Sequence, residues 1–310
     1  MAATRLVAVA RCPLCDSPDH RDWLTLPDRF RLGEAILWRL VRCCNCGGGF
    51  LSELPAAELL ASCYPTEGYD PFVSAAGARR WSQRVYIFLR RYSLSIRFHK
   101  LGKPRRGNRL LDVGCGTGEF LQRARRSGWQ GFGVEPSEAA AAVAERLGFV
   151  VHRGDLFSLP EPMQPYDAIT FWHTLEHIPE PRAALERAVA LLTPRGRIVA
   201  AVPNATSWDA RIYRENWIAY DAPRHCVMFT PDALTMLFEA VGFRIKSSAG
   251  LVFDLGYNII FSEHLRAQRI GKWSPFTPVR MLTAAIPALI GGPAGWSVLL
   301  MVAEKPESAK

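Results

Sequence analysis

This 310-residue sequence predicts an α/β protein: a doubly wound parallel sheet with a small cysteine-rich module ahead of it. Three observations predict it. From about residue 109 onward, short apolar runs alternate with helix-like segments, the pattern of a sheet covered on both faces. The first run, Leu110-Leu111-Asp112-Val113, passes into the turn Gly114-Cys115-Gly116-Thr117-Gly118 and then into helix-like sequence from Glu119 to Ser127. Two C-x-x-C pairs, Cys12-Pro13-Leu14-Cys15 and Cys43-Cys44-Asn45-Cys46, precede it.

The elements follow in order. Residues 1–54 form a ribbon-like domain. In a cytosolic chain its two cysteine pairs suit a closed tetrahedral zinc site on Cys12, Cys15, Cys43 and Cys46, structural because it keeps no open position. A redox C-x-x-C is the alternative. Gly47-Gly48-Gly49 permits a turn that points backbone N–H groups at sulfur, and Cys44 is spare. A unit of this size needs metal to fold alone. Cys63, Cys115 and Cys226 read as buried small hydrophobes.

Residues 55–106 form a helical, basic connector. From Arg79 to Arg109 there are eleven positive charges and no acid, interleaved with Trp81, Val85, Phe88, Leu89, Tyr92, Ile96 and Phe98 at helical spacing. That reads either as a helix packed by one stripe with solvated charges, or as a surface for anionic lipid, phosphate or nucleic acid. Residues 107–310 hold the sheet, with strands near 109–113, 131–135, 149–154, 166–172, 196–202, 243–248 and 296–303. Helices lie between them, among them Ser137 to Leu147, Pro181 to Leu192 and Pro231 to Val241, the last capped by Thr230. An insertion near 204–230, rich in Trp, Tyr, Arg and His, falls over the ligand edge and is the candidate acceptor lid.

The glycine turn poses the question of its ligand. A dinucleotide fingerprint is G-x-G-x-x-G. Here the spacing is G-x-G-x-G, with Glu119 where the third glycine belongs and Asp112 at the strand tip. Two carboxylates beside a pyrophosphate cost Coulomb energy. They suit a ligand bearing an ammonium and a sulfonium, as S-adenosylmethionine (SAM) does. Glu135, ending the second strand, can accept ribose hydroxyls. Asp155, ending the third, can accept the adenine amino group, with a neighbouring backbone N–H for a ring nitrogen. The alternative is a structural turn with incidental acids.

Residues Arg109 to about Ser248 resemble a class I SAM-dependent methyltransferase. The similar stretches are Leu111 to Gly118, Gly133-Val134-Glu135-Pro136, Thr174 to Pro181, Leu192 to Arg197 and Val202-Pro203-Asn204. The kinship is with the branch containing the ubiquinone-biosynthesis O-methyltransferases. The resemblance implies a Rossmann-like sheet of seven strands and SAM roles for Asp112, Gly114, Gly116, Glu135 and Asp155. Cys115, Gly118, Pro136, Leu156 and His173 complete the candidate cofactor-binding set.

Methyl transfer asks the protein to align a nucleophile and exclude water. A hydroxyl acceptor also needs a base or a metal. His173, Glu176 and His177 share one face if their segment is helical, and two imidazoles with a carboxylate can bind a second divalent metal. The related enzymes carry a similar stretch of two glutamates and a histidine, with His173 here in place of the first glutamate. Alternatively, Glu176 and His177 only cap and orient the next helix, leaving His173 as a lone base. In the lid, Tyr220 and His225 are further catalytic candidates, and Arg224 either clamps a carboxylate or phosphate or pins the insertion.

The expected function is therefore SAM-dependent methylation, O-methylation by resemblance, of a small-molecule or lipid-linked acceptor. A ribbon of this kind also precedes certain sugar C-methyltransferases, so a nucleotide-sugar acceptor is the first alternative. An RNA methyltransferase and a non-catalytic SAM-binding protein follow, although no RNA-binding signature supports nucleic acid as partner. Ordinary composition, with 49% hydrophobic and 22% charged residues, speaks against disorder and against a polytopic membrane protein. Met281 to Ala303 is uncharged, but Pro287, Gly291, Gly292, Pro293 and Gly295 divide it into a helix, a turn and a strand. The expected location is cytoplasmic, with peripheral contact to anionic membrane, since residues 1–10 lack a signal-like apolar run.

Overall fold

The computed structural model describes residues 6–30, 36–56, 60, 63, 96–104, 107–251, 253–290, 292 and 295–307. Seven strands make the main sheet: β6 (Arg109–Val113), β7 (Gln130–Glu135), β8 (Val150–Arg153), β9 (Tyr166–Trp172), β10 (Leu192–Pro203), β12 (Arg244–Gly250) and β13 (Val298–Glu304). Their order is β8-β7-β6-β9-β10-β13-β12. Only β13 runs antiparallel to its neighbours. The chain leaves β6 toward β7 and returns on its other side as β9, so the crevice between them lies at the switch in strand order.

The strands form where the apolar runs predict. Leu110, Leu111, Ile169, Phe171, Val199 and Ala200 are fully buried, because helices cover both faces. These are α1 (Glu119–Arg125), α2 (Glu138–Arg146), α3 (Pro181–Leu191) and α5 (Pro231–Ala240). Local chemistry sets their starts. Ser137 Oγ accepts the Ala140 N–H at the head of α2, and Thr230 Oγ1 accepts the Ala233 N–H at 3.1 Å at the head of α5. Pro181 opens α3, where its missing N–H costs nothing.

The cysteine-rich region contributes β2 (His20–Pro27), β3 (Leu37–Cys43) and β4 (Gly49–Leu51) to an antiparallel sheet; β1 (Leu6–Ala8) pairs with β5 (Glu53–Pro55). The fourth strand of that antiparallel sheet comes from far along the chain. β11 (Val227–Met228), at the end of the insertion, pairs with β4 in the register Val227 to Phe50 and Met228 to Gly49. The rest of the insertion is α4 (Trp208–Tyr213) and two single 3-10 turns, Arg214–Asn216 and Ile218–Tyr220.

Two helices join β12 to β13: α6 (Phe253–Ile270), which the sequence reading did not anticipate, and α7 (Thr277–Ile290). Within Met281 to Ala303, α7 ends at Ile290 and β13 begins at Val298, while residues 291, 293 and 294 of the expected turn lie outside the described residues. Among the described residues, no helix is long and apolar enough to cross a membrane. Of the basic stretch, residues 96–101 are helical, whereas 79–95 and 105–106 lie outside the described residues. Arg97 is not one of the solvated charges foreseen for that stretch. It faces Asp254 at 3.8 Å and stacks over Trp172.

Candidate functional site

The glycine turn stands at the switch point. Gly114 and Gly116 have φ of +73° and +52°, which glycine adopts without strain. A Cβ at Gly114 would stand 2.5 Å from Thr174 Oγ1, whereas at Gly116 it would meet nothing within 4 Å. The first glycine is thus required by packing, and the second faces open space. Gly118 sits against Ala144 at the start of α1, and Cys115 is buried.

Two carboxylates rim this turn. Asp112 pairs in register with Thr170 on β9 and accepts its hydroxyl at 2.6 Å. Glu135 accepts the N–H of Gly116 at 2.8 Å and of Ser137 at 2.9 Å. Burial raises both carboxyl pKa values above the usual range, that of Asp112 to about 7. This desolvated acidic pair beside an open glycine fits a cationic nucleoside such as SAM. Asp155 is exposed and accepts the Ser158 N–H at 2.7 Å, while Leu156 is buried and Pro136 exposed.

The predicted triad is rearranged. His173 to His177 is not a continuous α-helix: the helical piece is one 3-10 turn over Leu175–His177, and His173 has φ +55°. His173 therefore swings toward two carboxylates, with Nδ1 3.4 Å from Glu176 and Nε2 3.5 Å from Asp254. Burial opposes its charge, but Asp254 and Glu176 outweigh burial and lift its pKa to about 9. A protonated imidazole donates, so His173 does not stand ready as the lone general base.

The donor atoms that gather belong instead to Glu176, His177 and His225, within 4.8 Å of one another. His177 Nδ1 bonds the Arg224 carbonyl at 3.0 Å, and His225 Nδ1 bonds the Ala219 carbonyl at 2.7 Å. Each Nδ1 is the donor in such a bond, which makes Nε2 the acceptor nitrogen of each ring. Burial lowers both pKa values, that of His177 to about 4, so both rings are neutral at pH 7. The Glu176 carboxylate is buried, and neither oxygen has a hydrogen bond of good geometry among the described residues. Neutral imidazoles fixed by carbonyls, beside a buried carboxylate that faces His173 on one side, fit a divalent cation.

The other lid candidates have different surroundings. Tyr220 is buried with Trp23 and Trp217 edge-on to its ring. Arg224 is fully buried and cannot clamp a substrate. It grips Asp28 in bidentate fashion at 2.8 and 3.1 Å, Asp221 at 2.6 Å and the Cys63 carbonyl at 2.8 Å. That pins the insertion to the cysteine-rich region. Sequence reasoning missed Asp28 and Asp254, which lie far along the chain from Arg224 and His173. The first-turn acid of the Phe253-Asp254-Leu255 helix start was the available signal for Asp254.

The four predicted zinc ligands come together. Cys12 and Cys46 sulfurs lie 3.7 Å apart, and Cys15 and Cys43 sulfurs 3.6 Å. A tetrahedron of ~2.3 Å Zn–S bonds has edges of about 3.8 Å. The Asn45 amide N–H and its side chain point at the Cys43 and Cys15 sulfurs. Cys44 is exposed, and Cys63, Cys115 and Cys226 are buried.

Comparison with known proteins agrees with this geometry. A methyltransferase-domain family profile matches residues 86–248. The ubiquinone biosynthesis O-methyltransferase of Azorhizobium caulinodans is 28% identical over 164 residues, 49% of this chain and 65% of that protein. Its counterpart in Nitrobacter winogradskyi is 29% identical over 160 residues, 48% of this chain and 61% of that protein. The matched region thus spans less than two thirds of these relatives. Magnesium protoporphyrin IX methyltransferase from Synechocystis, solved with bound S-adenosylhomocysteine, has the same fold at TM-score 0.53 and 13% identity, covering 81% of this chain and all 100% of that one. A Galdieria sulphuraria structure described as a putative sarcosine dimethylglycine methyltransferase superposes at TM-score 0.51 and 15% identity, over 73% of this chain and 88% of that one. With more than half its length matched, the chain belongs to the methyltransferase-domain family.

Proposed function

We propose that this methyltransferase methylates a hydroxyl group of a small or lipid-linked acceptor. The observation that carries the reading is the set of buried Glu176 with His177 and His225, built from a turn after β9 and from the insertion beyond β10. Hydroxyls are weak nucleophiles at neutral pH and need help to lose a proton. The ubiquinone-branch relatives support oxygen as the target. The burial of Arg224 disfavours an acceptor that needs this residue for its phosphate.

SAM supplies a methyl group already activated on a sulfonium. In this reading Asp112 faces the ligand's positive charge, Glu135 accepts ribose hydroxyls, and Asp155 with the Leu156 N–H flanks the adenine. Gly114, Cys115, Gly116, Gly118 and Pro136 shape the turn around it. His173, held cationic by Glu176 and Asp254, fixes the edge of the pocket. A divalent cation held by Glu176, His177 and His225 would lower the pKa of a bound hydroxyl. Tyr220 stands behind that edge as packing. We further propose that Cys12, Cys15, Cys43 and Cys46 hold a structural zinc, and that the chain divides into a ribbon (1–54), a connector (55–106) and the methyltransferase unit (107–310).

Transfer of label from methyl-tritiated SAM to a phenolic or lipid-linked hydroxyl, recovered as an alkali-stable ether, is the expected result. His177→Ala and His225→Ala should each cut turnover at least tenfold with SAM binding retained. Label recovered only on nitrogen, carbon or RNA would overturn the hydroxyl assignment.

A further inference from the structure

The outer face of α7 is an apolar feature that the site leaves unused. Phe276, Val279, Leu282, Ile286 and Ile290 recur at helical spacing along one side of the helix and its entry, each 52–79% exposed. Trp273 and Ile270, in the preceding turn and at the end of α6, are exposed as well. The opposite side of α7 is fixed. Ala284 is buried, and Thr277 and Arg280 bond the buried Glu263 of α6 at 3.1 and 2.5 Å. The apolar stripe therefore cannot roll inward.

Beyond Glu263, whose carboxylate takes Arg266 and Arg280, the charge along the hairpin has one sign. From His264 to Ala303 the sequence contains Arg266, Arg269, Lys272 and Arg280 and no acidic residue. An apolar helix face edged by cations, with a tryptophan at one end, is the composition of a helix lying in a lipid interface. A second copy of this chain is a poorer fit. An isologous contact would set the cations flanking this stripe against their own copies, a like-charge juxtaposition.

We propose that the α6–α7 hairpin docks the enzyme on an anionic bilayer, with the outer stripe of α7 set among the acyl chains and Lys272 and its neighbours at the headgroups. The hairpin is tied to the site. Asp254, which pairs with His173, lies in the first turn of α6, and that helix runs 18 residues, about 27 Å, to the docking turn. Docking thereby brings the crevice over the surface from which a lipid-linked acceptor is drawn. The proposal extends the lipid-linked half of the functional reading, yet vesicle binding needs neither SAM nor acceptor, so the two fail separately.

The test is sedimentation of the full chain with vesicles of phosphatidylcholine alone or with about one third phosphatidylglycerol. Wild type is expected to bind the anionic vesicles at least tenfold more tightly than the neutral ones. L282E/I286E should lose at least tenfold of that affinity with SAM binding unchanged, and the uncharged L282S/I286S should also lose most of it. Three results would each overturn the proposal: no sedimentation of wild type, wild-type sedimentation by a double variant that still binds SAM, or a lipid-free dimer dissociated by these same substitutions.

Discussion

At the scale of single residues, the decisive fact is how few polar groups in the interior are indifferent. Asp112 is buried with its carboxyl pKa pushed up to about 7, so below that pH the empty pocket holds a proton that a cationic ligand must displace. SAM affinity should therefore rise with pH between 5.5 and 7, approaching tenfold per unit, and level off above; calorimetric titration at several pH values measures this. The same shift has the opposite sign for the ligand-free fold. Between about pH 4 and 7 the native state binds more protons than the unfolded chain, so this group's contribution to stability falls as pH rises. Asp112→Ala and Glu135→Ala should each weaken SAM binding about 10- to 100-fold, since hydrogen bonds to charged groups contribute roughly 1.5–3 kcal/mol. Arg224 offers the sharpest stability prediction. Arg224→Ala strands Asp28 and leaves Asp221 to Arg29, and should cost about 3–5 kcal/mol in denaturant unfolding. Arg224→Lys should recover only part of it, because an ammonium cannot reproduce the two-pronged grip.

At the scale of elements, local signals were legible and distant ones were not. The strand β6, its glycine turn and the capped starts of α2 and α5 are written in adjacent residues, and a reader of the sequence finds them. Thr230→Ala should accordingly remove about 1 kcal/mol, read from thermal or urea unfolding, by uncapping α5 alone. The His173, Glu176 and His177 set misled because helical spacing presumes a helix. The positive φ of His173 breaks the segment, and only a single turn follows. What replaced the triad came from the insertion, where no spacing rule connects His225 to Glu176. The pairing of β11 with β4 and the grip of Arg224 on Asp28 join residues more than 170 positions apart. Such contacts depend on the whole fold having formed.

At the scale of the whole molecule, the cysteine-rich region and the catalytic unit are one mechanical body. They share a four-stranded sheet through β11, a buried ion cluster through Arg224, and the aromatic packing of Trp23 on Tyr220. Metal analysis should find about one zinc per chain, and Cys12→Ser or Cys43→Ser should abolish it. Either substitution should also lower the melting temperature of the whole protein in one transition, rather than unfolding a detached ribbon.

The peptide unit at Cys226 gives this union a direction. Its N–H donates to the Glu176 carbonyl at 2.8 Å, and its carbonyl accepts the Leu51 N–H at 3.0 Å. This peptide thus helps link the first strands to the turn that carries Glu176, while the Gly116 pocket hangs mainly from β6 and β7. Stripping zinc from the thiolates should slacken that link, raising the acceptor KM and lowering turnover while nucleoside capture persists. Starved of zinc, the enzyme would sit charged with its methyl donor and idle.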